Sequence, residues 1–213
     1  MVDARELFKA LCPDPRCAET FSGVYELFYW LEGVLEELPE PRLSGAGQPL
    51  ASGVENREEV AEALRLRGVE DEALVDYAIA RLVSRRYKGV PSRGRCPVCG
   101  QVPTLLVLRE KPGISFSTPE LRARCICGYE GEAGDFTCPN CGAAGRENFE
   151  VYIAPQGSLK VFECRSCGFR FAEVRGDALE ERELQALHGA LRLLLKLGGG
   201  EARGRGAAPG GNR

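Results

Sequence analysis

Eight of the ten cysteines fall in four pairs in the second half of the chain, and a glycine closes each pair. They are Cys96-Pro97-Val98-Cys99-Gly100, Cys125-Ile126-Cys127-Gly128, Cys138-Pro139-Asn140-Cys141-Gly142 and Cys164-Arg165-Ser166-Cys167-Gly168. Two thiolates this close grip one ion from a tight turn, and the following glycine allows the positive φ that such a turn requires. Backbone amides in the turn then point at the sulfurs and spread their charge. Eight thiols make two four-cysteine sites. Zinc is the first choice of ion and iron the alternative, since four thiolates suit either in tetrahedral geometry. Sequential pairing puts Cys96, Cys99, Cys125 and Cys127 on one ion and Cys138, Cys141, Cys164 and Cys167 on the other. Interleaved pairing stays open because the Cys127–Cys138 connection is short. With four protein ligands each site is closed, so a structural metal is expected rather than a catalytic one, which needs an exchangeable position. Rubredoxin-like electron transfer is a third reading.

The remaining candidates for chemistry are sparse. Cys12 and Cys17 lack two further ligands and read as separate thiols at a helix junction, with a disulfide as the alternative. His188 is the only histidine and has no neighbouring nucleophile in sequence, so a structural place on the last helix is expected. No phosphate loop, Ser-His-Asp order or paired-carboxylate motif is present, and no enzymatic activity is expected. Arg93, Arg95, Arg122, Arg124, Arg165 and Arg170 flank the knuckles, with Phe169 and Phe171 beside the last, as in some nucleic-acid-binding ribbons.

Period decides which elements carry these residues. The first ninety residues have helical spacing. Helices are expected over Asp3–Leu11, Cys17–Leu38, Asn56–Arg67 and Asp71–Lys88, with a Pro/Gly/Ser-rich loop at 39–53. The aromatic cluster Phe21, Tyr25, Phe28, Tyr29 and Trp30 reads as the core of a small bundle. Gly89–Arg95 reads as a hinge-like linker. Beyond it the order is knuckle, strand, turn, strand, knuckle, and then the same again: an internal duplication of a zinc-ribbon or rubredoxin-like unit. A unit of about forty residues buries too little apolar surface to fold alone, so the ion must contribute folding free energy. An amphipathic helix follows from Ala178 to Leu197. The expected fold class is therefore α+β. Its parts are a helical domain (1–89), two four-cysteine zinc-ribbon units (90–136 and 137–176), a C-terminal helix (177–197) and a disordered Gly/Ala/Arg tail (198–213).

The net charge is −3, and residues 1–89 carry 17 acids against 11 bases while residues 90–175 carry 9 against 11. An acidic front half suits a protein partner and disfavours nucleic acid, for which only weak binding is expected. No signal peptide and no membrane-length apolar run is visible, so a cytoplasmic protein is expected. In a reducing cytosol paired cysteines mean metal far more often than disulfide. Scarcity of Met, His and Trp fits a thermophilic composition or a GC-rich genome.

A helical front half, two tandem four-cysteine units and a terminal helix resemble the formate dehydrogenase accessory family of FdhE type. The resemblance rests on Cys96-Pro97-Val98-Cys99-Gly100 with Pro103, on Arg122 or Arg124 before Cys125 and Cys127, on Cys138 and Cys141, and on Phe162-Glu163-Cys164-Arg165-Ser166-Cys167. It extends through Asp177 and Leu179 into the last helix and is best over residues 96–195. The second pair departs from it, being Cys-x-Cys in place of Cys-x-x-Cys. The resemblance implies a maturation factor that contacts the catalytic subunit of a formate dehydrogenase or similar molybdenum or tungsten oxidoreductase. The surface expected to do so is a cleft between the helical half and the first ribbon, with Arg93, Arg122 and Arg124 on one side. A zinc-ribbon nucleic-acid binder is the alternative.

Overall fold

Helix α1 (Pro15–Val34) opens where Asp14, its N-cap, accepts the Cys17 N–H at 3.0 Å. Pro15 follows in the first turn, where its missing N–H costs nothing. The expected start at Cys17 thus falls two residues late. A 3-10 turn (Leu35–Glu37) ends the helix just before Pro39. Helix α2 (Arg57–Arg65) stops before Gly68, whose φ is 85°. Helix α3 (Glu72–Arg86) is capped by Asp71, which accepts the Leu74 N–H at 3.0 Å. Helix α4 (Glu181–Leu197) closes the described chain. This computed structural model describes residues 12, 14–44, 49–87, 94–113, 116–154, 157 and 159–197. Arg93, the candidate helix at 3–11, most of the 89–95 linker and the tail at 198–213 lie outside the described residues.

Six strands form one sheet: β1 (Leu105–Lys111), β2 (Thr118–Arg124), β3 (Glu130–Glu132), β4 (Phe149–Ile153), β5 (Leu159–Cys164) and β6 (Arg170–Arg175). Their order is β3-β2-β1-β6-β5-β4. The duplication is visible in it. Each unit is an antiparallel three-strand meander, and the two join where β1 lies parallel to β6, Leu105 beside Ala172 and Val107 beside Val174. Alternation along β1 splits the core. Leu105 and Val107 face α1 and α4, meeting Phe21, Leu184, Leu187 and Leu191. Leu106 faces the other way, towards Phe149, Phe162 and Phe171, whose rings pack edge-on or stacked at 5.0–6.2 Å.

The core of the helical front half continues into the first ribbon. Leu31, Leu64, Ile79 and Val83 pack in one cluster with Cys96, Val98, Cys125, Cys127 and Tyr129. Leu50 and Ala51 donate backbone hydrogen bonds to the carbonyls of Pro97 and Val98 at 3.0 and 2.9 Å. The first ribbon is therefore both bonded to and packed onto the front half. Of the aromatic cluster, Phe21 and Phe28 pack into the two cores, while Tyr29 and Trp30 stay partly exposed. Cys12 and Cys17, expected as separate thiols, are joined by a disulfide with a Cα–Cα distance of 5.4 Å. The start of α1 holds the two close enough for the bond.

Candidate metal centres and the charged cleft beside them

Four knuckles are built alike. In three of them the first cysteine accepts a backbone hydrogen bond from the glycine four residues on: Gly100 to Cys96, Gly142 to Cys138 and Gly168 to Cys164, at 2.7–2.9 Å. In the shorter Cys125-Ile126-Cys127 turn the bond comes from Gly128, three residues on, at 2.8 Å. The glycines Gly100, Gly128, Gly142 and Gly168 have φ of 74°, 83°, 76° and 68°, the left-handed region that a side chain resists. The missing residue shortens the turn without changing how it closes.

Hairpins β1–β2 and β4–β5 bring flanking knuckles together, and the result is the sequential pairing. Cys96, Cys99, Cys125 and Cys127 form one group and Cys138, Cys141, Cys164 and Cys167 the other, all sulfurs in a group lying within 4.8 Å of one another. Sulfurs about 2.3 Å from a shared tetrahedral centre lie about 3.8 Å apart. The contacts across the second group, Cys138–Cys167 and Cys141–Cys164, are both 3.7 Å. Across the first, Cys96–Cys127 and Cys99–Cys125, they are 3.6 and 3.3 Å. Both groups can hold an ion of zinc or iron size. They differ in setting. Cys96, Cys125 and Cys127 are buried under the helices, while Cys141 and Cys167 are exposed. Both groups lie at the same end of the sheet, opposite the hairpin tips.

Polar groups from the helices hold the first site in place. Ser84 of α3 hydrogen-bonds the Cys127 carbonyl, and Gln185 of α4 hydrogen-bonds the Ile126 carbonyl. The Arg81 guanidinium occupies the space that a side chain in place of Gly128 would need. Arg81 also forks onto the buried Glu32 carboxylate at 2.9–3.2 Å and reaches Glu181 at 2.9 Å. Arg85 binds the second oxygen of Glu32 at 3.1 Å, and Tyr77 donates to the first at 3.1 Å. Burial pushes the Glu32 carboxyl up, but the hydrogen bonds and charges of Arg81 and Arg85 outweigh it and leave the group below the usual carboxylate range. Burial raises the Tyr77 phenol well above its ordinary value. Burial and the arginines nearby hold His188 neutral, its Nε2 hydrogen-bonded to Thr104 Oγ1 at 2.8 Å.

Arg124 is expected from sequence to present a cation to a partner, yet it is 1% exposed. It contacts Glu130 at 2.7 Å, Glu181 at 2.5 Å and Gln185 at 2.8 Å. Its position decides this: the last residue of β2 before Cys125 points at the N-terminal turn of α4. Arg122, two residues earlier on the same face, is part-exposed and paired with Glu120 at 2.6 Å. Above the network opens a cleft of about 880 Å³ between the helices and the first ribbon. Its walls include Tyr29, Glu36, Arg85, Arg109, Glu180 and Arg182. Both cations and carboxylates line it, and Arg182 lies 4.0 Å over the Tyr29 ring. Of the three arginines expected on such a cleft, Arg124 lines it, Arg122 does not, and Arg93 lies outside the described residues; Glu32, Arg81 and Ser84 line it without having been expected there, and Gln185 was not expected beside Arg124. Their one sequence signal is a polar residue in an apolar register, as with Arg81 between Ala78 and Leu82.

Fold and site together define a protein with two four-cysteine centres: duplicated ribbons fused into one sheet with helices on one face. No family model matches the chain, and no curated protein matches it. Among solved structures it is similar to the FdhE protein from Pseudomonas aeruginosa, with 19% identity, 84% of this chain and 69% of that chain covered, and a TM-score of 0.45.

Proposed function

We propose that this chain is an accessory protein in the maturation of a formate dehydrogenase or a related molybdenum or tungsten oxidoreductase. In this reading it works in the cytoplasm, carries two zinc ions and no catalytic centre, and binds the catalytic subunit in the charged cleft. The observation that carries the reading is the placement of that cleft beside the Gly128 and Tyr129 end of a largely buried four-cysteine group, in a chain whose knuckle run resembles the FdhE type. Charges of both signs suit a folded protein partner, because they orient it and reject wrong ones without chemistry. Nucleic acid has less support. The ribbon arginines are largely neutralised within the chain: Arg109 by Glu130, Arg165 by Glu150, Arg170 by Glu163 and Arg175 by Glu110. Few remain to release counterions from phosphates.

The test exchanges charges at the rim of the cleft, and retention of both ions and of the melting temperature shows that the variants still fold. An Arg182→Glu, Glu180→Lys double variant keeps net charge, and Arg122→Glu probes the adjoining strand. Co-purification with the catalytic subunit should fall at least tenfold in the double variant while both ions are retained. Undiminished capture by metal-replete variants removes the cleft as the docking site. Submicromolar binding of single-stranded RNA at physiological salt would favour the nucleic-acid alternative.

A further inference from the structure

The sheet ends on one side at β3, three residues long, and on the other at β4, five residues long. β4 is the counterpart of β1 in the duplication, and the corresponding edge of β1 is taken by β6. No described residue pairs with the outer edge of β4. Ala154 donates to the Leu159 carbonyl and Arg165 to the Asn148 carbonyl, at 3.0 and 2.9 Å. In an antiparallel ladder the bonded pairs alternate. Asn148, Glu150, Tyr152 and Ala154 therefore turn their N–H and C=O groups towards β5, and Phe149, Val151 and Ile153 turn theirs outward. The Phe149 N–H is already used by the Arg146 carbonyl. The N–H groups of Val151 and Ile153 and the carbonyls of all three point outward from the sheet edge. Side chains leave the edge accessible: Val151, Tyr152 and Ile153 are 37%, 58% and 63% exposed. Native sheets ordinarily blunt such an edge with charge, proline or a covering element.

We propose that β4 pairs with β4 of a second copy of this chain, antiparallel about a two-fold axis at Val151, to make one sheet of two copies. The segment Phe149-Glu150-Val151-Tyr152-Ile153 is complementary to itself in that register. Val151 meets Val151, Phe149 meets Ile153, and Glu150 meets the Tyr152 hydroxyl, a donor it already accepts from within its own chain at 3.2 Å. The outward groups match as well, with Val151 exchanging two hydrogen bonds across the axis and each Ile153 N–H reaching a Phe149 carbonyl. Shifting the pairing one way sets Glu150 against Glu150, which like charge disfavours, and shifting it the other way leaves Glu150 without the tyrosine. A closed two-fold pairing also ends growth, whereas pairing β4 with the β3 edge of the next copy would run on as a filament. One five-residue strand buries less than a tight interface needs, so the dimer is weak and concentration-dependent.

The experiment is sedimentation equilibrium on the full, metal-replete chain from about 5 to 500 µM, a range chosen for a weak interface. The expected result is a rise in mean mass towards two chains. Val151→Lys should weaken association at least tenfold by placing two ammonium groups at the axis, and so should Val151→Glu. An equimolar mixture of the two should associate again, which a merely misfolded variant would not do. Wild-type protein that stays monomeric to the top of the range overturns the proposal. So does a dimer that Val151→Lys leaves unchanged, which would use another surface.

Discussion

Arg81 ties together three separate parts of the molecule. It bonds Glu32 of α1 and Glu181 of α4, and it fills the space beside Gly128 of the second knuckle. Both it and Glu32 are almost wholly shielded, so removing one partner strands a buried charge. Arg81→Ala is expected to cost about 3–5 kcal/mol in denaturant unfolding at neutral pH. The pH dependence has a definite sign. In the folded wild type the Glu32 pKa lies below 4.5, so its contribution is fully present above that value and lost as pH falls through the folded pKa. Without Arg81 the effect of burial is left less opposed and that acid limb weakens, so the gap between variant and wild type should narrow below about pH 4.5. His188 acts in a different window. Its folded pKa lies well below 6.5, so the unfolded chain takes up a proton first and stability falls as pH drops below about 6.5. His188→Gln should flatten that limb relative to wild type, a comparison that cancels proton competition at the thiolates. An unchanged slope would show that His188 does not titrate differently on unfolding.

Among elements, the knuckles separate what a motif requires from what its neighbours require. Gly128 and Gly168 end equivalent turns at φ of 83° and 68°. Beside Gly168 nothing lies within 4 Å of an added Cβ, whereas at Gly128 it would enter the Arg81 guanidinium. Gly168→Ala is expected to cost about 1–2 kcal/mol from backbone strain alone. Gly128→Ala adds displacement of a buried ion pair and should cost about 3 kcal/mol or more. Thermal or urea melts of the two zinc-loaded variants decide it, and equal losses would mean that Arg81 yields freely. Cysteine variants extend the comparison. Cys138→Ser opens a four-thiolate site, while Cys12→Ser removes a bond across a sequence separation of only 5. The first should lose more stability, and the reverse order would assign the disulfide a larger part in holding α1.

For the whole molecule, the helical front half packs against one of the two four-cysteine groups and not the other. The first four-cysteine group belongs to the same cluster as Leu31, Leu64 and Ile79, and the second packs with the phenylalanines on the far face of the sheet. A competing chelator is expected to take up two ions in two phases, the faster from the group holding the exposed Cys141 and Cys167. Helical circular dichroism should survive the first phase and fall with the second. Helices that persist after both ions leave would mean that α1, α2 and α3 fold without the ribbon. A single phase would mean that burial does not govern release.

The amino-acid sequence by itself determined the elements and the ligands. Helical period, proline stops and the four Cys-Gly turns are local, and a hairpin favours pairing the knuckles at its two ends, while the choice against interleaved pairing came from the structure. The α+β class, the duplication and the places of α1 and α4 were legible for that reason. Other features depend on contacts between residues far apart in the chain, which no local pattern encodes. Parallel pairing of β1 with β6 fuses two ribbons into one sheet because each would otherwise leave an open edge. Helices α3 and α4 close over the first knuckles, so Arg124 becomes an internal counter-ion and Ser84 and Gln185 become supports of a metal turn. Burial decided these roles, since a charge removed from water must find its partners within the fold.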